Sequence, residues 1–72
     1  MIHVEIETRP NGRGWGYAIH HWRVRYGGDG EIAEMQYLGE FETHGFGYKT
    51  EDMAAQAARE RLDGLYGEWR HI

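Results

Sequence analysis

Apolar and polar residues alternate along three successive segments of this chain, which is the period of half-buried β-strands. At the start of the chain, Ile2, Val4 and Ile6 point to one side and polar residues point to the other. The alternation resumes over residues 16–26 and again over residues 31–41. Turn sequences rich in glycine separate the three segments, so the pattern predicts an antiparallel meander of three strands.

The alternation also predicts which side of each strand faces the core. The predicted core face of the second strand consists of Ala18, His20, Trp22, Val24 and Tyr26. This face is preferred because Arg23 and Arg25 occupy the opposite one. The predicted core face of the third strand consists of Ala33, Met35, Tyr37 and Phe41.

One helix is predicted after the third strand. Thr50 suits an N-cap position, and Glu51 and Asp52 lie where the helix dipole favours negative charge. An apolar stripe follows at helical spacing and consists of Met53, Ala54, Ala57, Ala58, Leu62 and Leu65.

These elements predict an α+β fold of β-β-β-α order, with one C-terminal helix packed on a three-stranded meander. We expect the helix to dock on Trp22, Met35 and Tyr37, and residues 69–72 to fold back over the core. A chain of 72 residues suffices for one small core, so a single domain over residues 1–72 is predicted.

The composition excludes several kinds of chemistry. Cysteine and serine are absent, which removes disulfides, thiolate metal clusters and both of these nucleophiles. No acidic pair falls in a predicted cleft, so the chain is not expected to be an enzyme. No apolar run is long enough for a transmembrane helix, and no signal-peptide segment is recognisable, so we expect a cytoplasmic protein.

The five histidines do not show the spacing of a metal site. His20 and His21 are adjacent on a strand and therefore point to opposite faces. The best arrangement joins His3 and His21 with Glu5 or Glu34 on the outer face of the sheet. It lacks the paired ligands of closed metal sites, so no metal and no cofactor is predicted.

Negative charge is concentrated in the middle of the chain. There are 12 acidic and 8 basic residues, which gives a net charge of −4. Residues 31–52 hold six of the acids and one lysine, whereas residues 1–30 hold three acids and four arginines. One interpretation is a solvated surface with cross-strand ion pairs, and the other is an acidic surface that binds a basic partner.

Three short segments resemble parts of known families. Residues 44–48, HGFGY, resemble the RNP1 segment of the RNA recognition motif. The run G-x-G-x-K-x-x-x-M-x-x-Q-A-A-x-x-x-L over residues 45–62 resembles the C-terminal two-thirds of a double-stranded-RNA-binding domain. That resemblance implies phosphate binding at the start of the helix, where this chain has Glu51 and Asp52. Residues 47–55 also resemble the sheet-to-helix passage of HicB-like antitoxins.

A further resemblance rests on size and composition rather than on a sequence motif. A small, acidic, cysteine-free domain with no catalytic set is similar to the phage-encoded inhibitors of bacterial defence called anti-CRISPR proteins. The resemblance implies that the chain binds a Cas protein or complex in the host cytoplasm. Target-DNA recognition would be blocked by carboxylates placed where phosphates would lie.

The sequence leaves three functions open. The first is a protein-binding inhibitor whose partner is a bacterial protein with a basic nucleic-acid-binding surface, and its predicted contact residues are Glu31, Glu34, Glu40, Glu42, Glu51, Asp52 and Tyr48. The second is a nucleic-acid-binding module that uses Arg9, Arg13, Arg23, Arg25 and Tyr17. The third is a small antitoxin or regulatory subunit that dimerises through an edge strand. Monomer and homodimer both remain open.

Overall fold

A computed structural model of the chain confirms the α+β class and the C-terminal helix. Its elements are β1 Ile2–Asn11, β2 Gly14–Tyr26, β3 Ile32–Tyr48, α1 Glu51–Leu65 and β4 Trp69–His71. The structure describes the backbone of all 72 residues and the side chains of residues 1–43 and 47–72. The four strands form one sheet in the order β3-β2-β1-β4, which is one strand more than the predicted meander.

The first three strands form the predicted antiparallel meander. The turn between β1 and β2 places Gly12 at a φ of 60°, a conformation that glycine adopts without a steric penalty. The turn between β2 and β3 is closed by a 2.7 Å hydrogen bond from the Gly27 amide to the Glu31 carbonyl. Thr50 caps the helix as predicted, because its side chain accepts a hydrogen bond from the Met53 amide.

The fourth strand comes from the segment that was expected to fold back over the core. Residues 69–71 pair with β1 in parallel, so they extend the sheet, and Trp69 also packs against the buried core as expected. The Ile72 amide donates to the Val4 carbonyl over 3.0 Å, and the Ile6 amide donates to Nε2 of His71 over 2.9 Å. The end of the chain therefore protects the β1 edge of the sheet.

The helix covers the face of β2 opposite to the predicted one. The buried core cluster consists of Val4, Tyr17, Ile19, Ala58 and Leu62. Tyr17 and Ile19 belong to the odd-numbered face of β2, whereas the predicted face was the even-numbered one. The prediction for β1 was correct, since Ile2 and Ile6 pack against the same cluster as Val4.

The pairing of β2 with β1 explains this difference. The register places Ile19 opposite Ile6 and His21 opposite Val4, so the odd-numbered face of β2 continues the apolar face of β1. Arg23 and Arg25, which made that face look polar, lie past the last β1–β2 residue pair, His3 with Trp22. The charge of these two arginines therefore does not indicate which face of β2 the helix covers.

The predicted docking of the helix on Trp22, Met35 and Tyr37 is wrong for the same reason. Met35 pairs with Val24 and Tyr37 pairs with Trp22, so both lie on the face away from the helix. Met35 is 40% exposed and Tyr37 is 49% exposed. Ala33, also predicted to face the core, is exposed.

Phe41 reaches the helix side of the sheet through a β-bulge. Glu40 pairs with His20 and Glu42 pairs with Ile19, which leaves Phe41 as the extra residue between them. Its ring stacks on His21 with centroids 4.0 Å apart.

On the helix itself the buried residues are Ala54, Ala58 and Leu62, whereas Met53 and Leu65 of the predicted stripe are exposed.

Half of the β2–β3 hairpin extends beyond the core. We call residues 22–38 the β2–β3 arm, because β1 pairs no further than Trp22. None of the arm residues, whose side chains are all described, is buried, and none belongs to the core cluster. The molecule measures 46 × 22 × 18 Å, so it is elongated.

We predict that Leu62→Ala and Met53→Ala have very different effects on stability. Leu62 is fully buried, so its truncation should lower the free energy of unfolding by about 2–5 kcal/mol. Met53 is half exposed, and its truncation should change the free energy by less than about 0.5 kcal/mol. Chemical denaturation followed by circular dichroism measures both. Similar losses in the two variants would contradict the observed docking of the helix.

Candidate functional site

The face of the sheet opposite α1, which we call the helix-free face, divides into a charged half and an apolar half. On β1 it carries His3, Glu5, Glu7 and Arg9, and on β2 it carries Ala18, His20, Trp22 and Val24. The charged half lies near the β1–β2 turn, and the apolar half lies in the β2–β3 arm. Sequence reasoning missed both halves because it placed the even-numbered face of β2 in the core.

The charged half is organised around one guanidinium group. Nη2 of Arg9 lies 3.0 Å from Oε1 of Glu7 and 2.7 Å from Oε1 of Glu40, so it bridges two carboxylates on different strands. The hydroxyl of Thr43 donates to the other oxygen of Glu40. We call these residues, together with His20, the charged network.

His20 joins the charged network to the arm. Nε2 of His20 lies 2.7 Å from Oε1 of Glu7, and Nδ1 lies 2.7 Å from the hydroxyl of Tyr37. Because a carboxylate only accepts hydrogen bonds, Nε2 carries the proton, and in the neutral ring Nδ1 accepts from Tyr37. Both ring nitrogens of His20 are therefore satisfied within the sheet.

The charged network shifts the pKa values of Glu7, Glu40 and Arg9. Hydrogen bonds from Arg9 and then from His20 lower the pKa of Glu7 from its usual 4.5 to about 2. The pKa of Glu40 is also lowered, first by the hydrogen bond from Thr43 and then by Arg9. The two carboxylates in turn raise the pKa of Arg9. All three groups stay ionised at neutral pH.

Glu7, His20 and Glu40 are also the residues of the described chain best placed to hold a metal ion. One ligand atom from each lies within 4.8 Å of the others. The guanidinium of Arg9 already supplies the positive charge between the two carboxylates, so the group is satisfied as it stands. The arrangement of His3 with His21 considered from sequence is wrong, because His21 pairs with Val4 and lies on the other face.

The predicted acidic contact residues do not form one surface. Glu40 lies on the helix-free face, whereas Glu42 lies on the helix side, where its oxygens are 2.9 and 3.0 Å from Nε of Arg61. Glu34 pairs with Arg25 over 2.8 Å, and Glu51 accepts a hydrogen bond from Thr8 over 2.9 Å. Four of the six predicted carboxylates are therefore held by another part of the chain.

Glu31 and Asp52 differ from the other four predicted acids. No ion pair or side-chain hydrogen bond to their carboxylates is found among the described side chains, and both residues are exposed. Glu31 lies at the end of the turn that closes the β2–β3 arm, directly before Ile32. Asp52 lies in the first turn of α1.

The residues predicted to bind nucleic acid are also dispersed. Tyr17, one of these residues, is only 5% exposed and belongs to the core, and burial raises the pKa of its hydroxyl. Tyr48 is half-buried and packs against the same core. Arg9 and Arg25 are bound to glutamates, while Arg13 lies exposed in the first turn and Arg23 lies exposed in the arm. Residues 44–46 of the RNP1-like segment lie outside the described side chains.

The apolar half of the helix-free face consists of three cross-strand pairs in the arm. They are Trp22 with Tyr37, Val24 with Met35, and Tyr26 with Ile32, and we call these six residues the arm patch. The rings of Trp22 and Tyr37 lie 5.1 Å apart. The Tyr26 hydroxyl lies 3.0 Å from Nε2 of His3, which fixes the edge of the patch nearest β1. A pocket of about 270 Å³ lies at the same end of the sheet, and its lining includes residues of both faces, among them Trp22 on the helix-free face and His21 on the helix side.

Comparison of this chain with known protein families, with curated proteins and with solved structures found no match. In the part of the chain that the structure describes, no helix has the length and apolar character needed to cross a bilayer.

We predict that Glu7→Gln weakens the acid dependence of stability. Because the pKa of Glu7 is lower in the folded chain than in the unfolded one, its ionised form stabilises the fold above pH 4.5. This contribution is lost as the pH falls from 4.5 to 2. The free energy of unfolding should fall less steeply over that interval in Glu7→Gln than in the wild type.

The matched control is Glu68→Gln, since no ion pair holds the Glu68 carboxylate among the described side chains. This variant should keep the wild-type slope. A Glu7→Gln slope equal to that of the wild type would contradict the charged network. Arg9→Gln offers a direct check, because the pKa of Glu7 measured by NMR should then rise towards 4.5.

Proposed function

We propose that this protein is a protein-binding module whose contact surface is the arm patch. The observation that carries the proposal is that six apolar or aromatic side chains share the face that the helix leaves uncovered. Among the described side chains, ten large hydrophobic residues are exposed, and five of them lie in the arm. A contiguous exposed apolar patch on a small soluble domain marks an interaction surface.

The composition of the patch suits protein binding. Two tyrosines and a tryptophan supply the large, rigid side chains that dominate binding energy at interfaces. The charged side chains of the two strands lie on the other face of the arm and are Arg23, Arg25 and Glu34. The centre of the arm patch is therefore apolar, as in the core of a protein interface.

The free edge of β3 is a weaker candidate for partner binding, although the antitoxin hypothesis would use it. The ladder between β2 and β3 has irregularities at four places, including the bulges that leave out Ala33, Leu38 and Phe41. Gly39 also adopts a φ of 115°. Bulges twist and interrupt an edge strand, and so disfavour the addition of another strand.

The anti-CRISPR-type inhibitor is a narrower form of this proposal, in which the partner is a Cas protein or another bacterial protein with a basic surface. Carboxylates acting as phosphate substitutes would have to leave Arg9, Arg25 and Arg61 before they could bind a partner's arginines. Glu31 and Asp52 are not held in this way, and Glu31 borders the arm patch. We therefore place the apolar contact at the centre and Glu31 at its rim.

We predict that a partner captured from a bacterial lysate by the tagged chain is lost with Met35→Lys and retained with Met53→Lys. The two methionines are a matched pair, since they are 40% and 50% exposed but lie on opposite sides of the sheet. A charge at position 35 would be buried in the interface without a counterion. Mass spectrometry identifies the partner, and circular dichroism checks that both variants fold. Equal capture by the two variants would contradict the proposal.

Charge reversal separates the arm patch from the phosphate-substitute mechanism. The triple variant Glu34→Lys, Glu40→Lys and Asp52→Lys leaves every residue of the arm patch in place. We predict that it retains the partner and that salt changes the affinity only modestly. Loss of binding in this variant, together with steep salt dependence in the wild type, would favour carboxylates as phosphate substitutes instead.

A further inference from the structure

The β2–β3 arm is a two-stranded ribbon with one uncovered apolar face. Past Trp22 the strand β2 pairs only with β3, because the β1 ladder has ended. Two-stranded hairpins are marginally stable in water unless another element covers their apolar face. The helix does not cover the arm patch, and in the described part of the chain β4 reaches only its edge, where Nη1 of Arg70 lies 3.3 Å from the Tyr26 hydroxyl. The arm is therefore the part of the fold that gains most from a partner.

We propose that the arm patch binds the same patch of a second copy of this chain, so that the two arms pack face to face around a twofold axis. The proposal rests on the function proposed above and names the partner of the same surface. A twofold interface uses one patch twice, so both arms are covered by a single contact. Whenever the chain is present, this partner is present at the same concentration.

The area of the patch fits an interface of this kind. Tyr26, Ile32, Met35 and Tyr37 are each between 40% and 49% exposed. Taking about 200 Å² for a large side chain, these four residues expose roughly 350 Å² per copy. A standard interface buries about 800 Å² per partner, of which slightly more than half is apolar. The patch therefore supplies most of the apolar area that one such interface needs, and the rim supplies the remainder.

The distribution of charge also permits self-association. The patch contains no charged side chain. The whole arm carries Arg23 and Arg25 against three acids, so its net charge is −1, while the chain carries −4. Most of the negative charge therefore lies outside the region where two arms would meet, and repulsion between the copies is small there.

The small core adds a reason for dimerisation. The buried hydrophobic residues of the described side chains are Val4, Tyr17, Ala18, Ile19, Ala54, Ala58 and Leu62, and three of these seven are alanines. A domain of this size with so few large buried side chains gains stability when oligomerisation covers further apolar area. Packing two sheets face to face at about 10 Å is the usual way to bury such a surface.

Sedimentation equilibrium of the full chain from micromolar to near-millimolar concentration tests the proposal. We expect the apparent mass to rise with concentration from 8.4 kDa to twice that value. Met35→Lys should raise the dissociation constant of the dimer at least tenfold, and Met53→Lys should leave it unchanged. Ile32→Lys provides a second patch variant in case Met35→Lys fails to fold. The absence of cysteine also permits a clean cross-linking test, in which Met35→Cys forms a disulfide dimer faster than Met53→Cys.

The outcomes separate this proposal from the proposed function. A wild-type chain that stays monomeric at every concentration would overturn the dimer, and capture that depends on Met35 would still support binding of a different protein. A dimer that Met35→Lys and Ile32→Lys leave intact would place the interface elsewhere and overturn the proposal. A monomeric chain whose lysate partners ignore Met35→Lys would overturn both.

Discussion

The packing of α1 on β1 and β2 determines which surfaces of this protein are available for binding. Ala54 and Ala58 bring the helix close to the sheet, and Leu62 fills the space over Val4 and Ile19. Because successive residues of a strand point to opposite faces, this one contact assigns every residue of β1 and β2 to the helix side or to the helix-free face. A helix on the other face would bury Trp22 and expose Ile19.

The helix covers one end of a long sheet, and the two halves of the helix-free face have different physical character as a result. Near the β1–β2 turn, Arg9 binds two carboxylates, and the polar side chains satisfy one another at the surface. In the arm, the cross-strand pairs are apolar, and the helix does not cover them, so they remain in contact with water in the isolated chain. His20 connects the halves through Glu7 and Tyr37. The charged half therefore helps to fix the orientation of a ring in the arm patch.

The local features of the fold were predictable from sequence, and the relation between them was not. Alternation identified β1, turn residues identified the hairpins, and Thr50 identified the start of the helix. The face of β2 was assigned wrongly because Arg23 and Arg25 were counted as if the helix covered the whole strand. Bulges in β3, which moved Phe41 to the helix side, leave no periodic signal. The charged network joins residues 7, 9, 20, 40 and 43, and it can be identified only once the register of three strands is known.

Nuclear Overhauser effects from the methyl groups of Leu62 report directly which face of the sheet the helix covers. The account predicts strong effects to the methyl groups of Val4 and Ile19, since these three side chains are fully buried in one cluster. It predicts no effect to the ring protons of Trp22, which lies on the other face of the sheet. Effects from Leu62 to Trp22, with none to Ile19, would show that the helix covers the other face of the sheet. The arm patch would then be part of the core, and the binding surface proposed here would not exist.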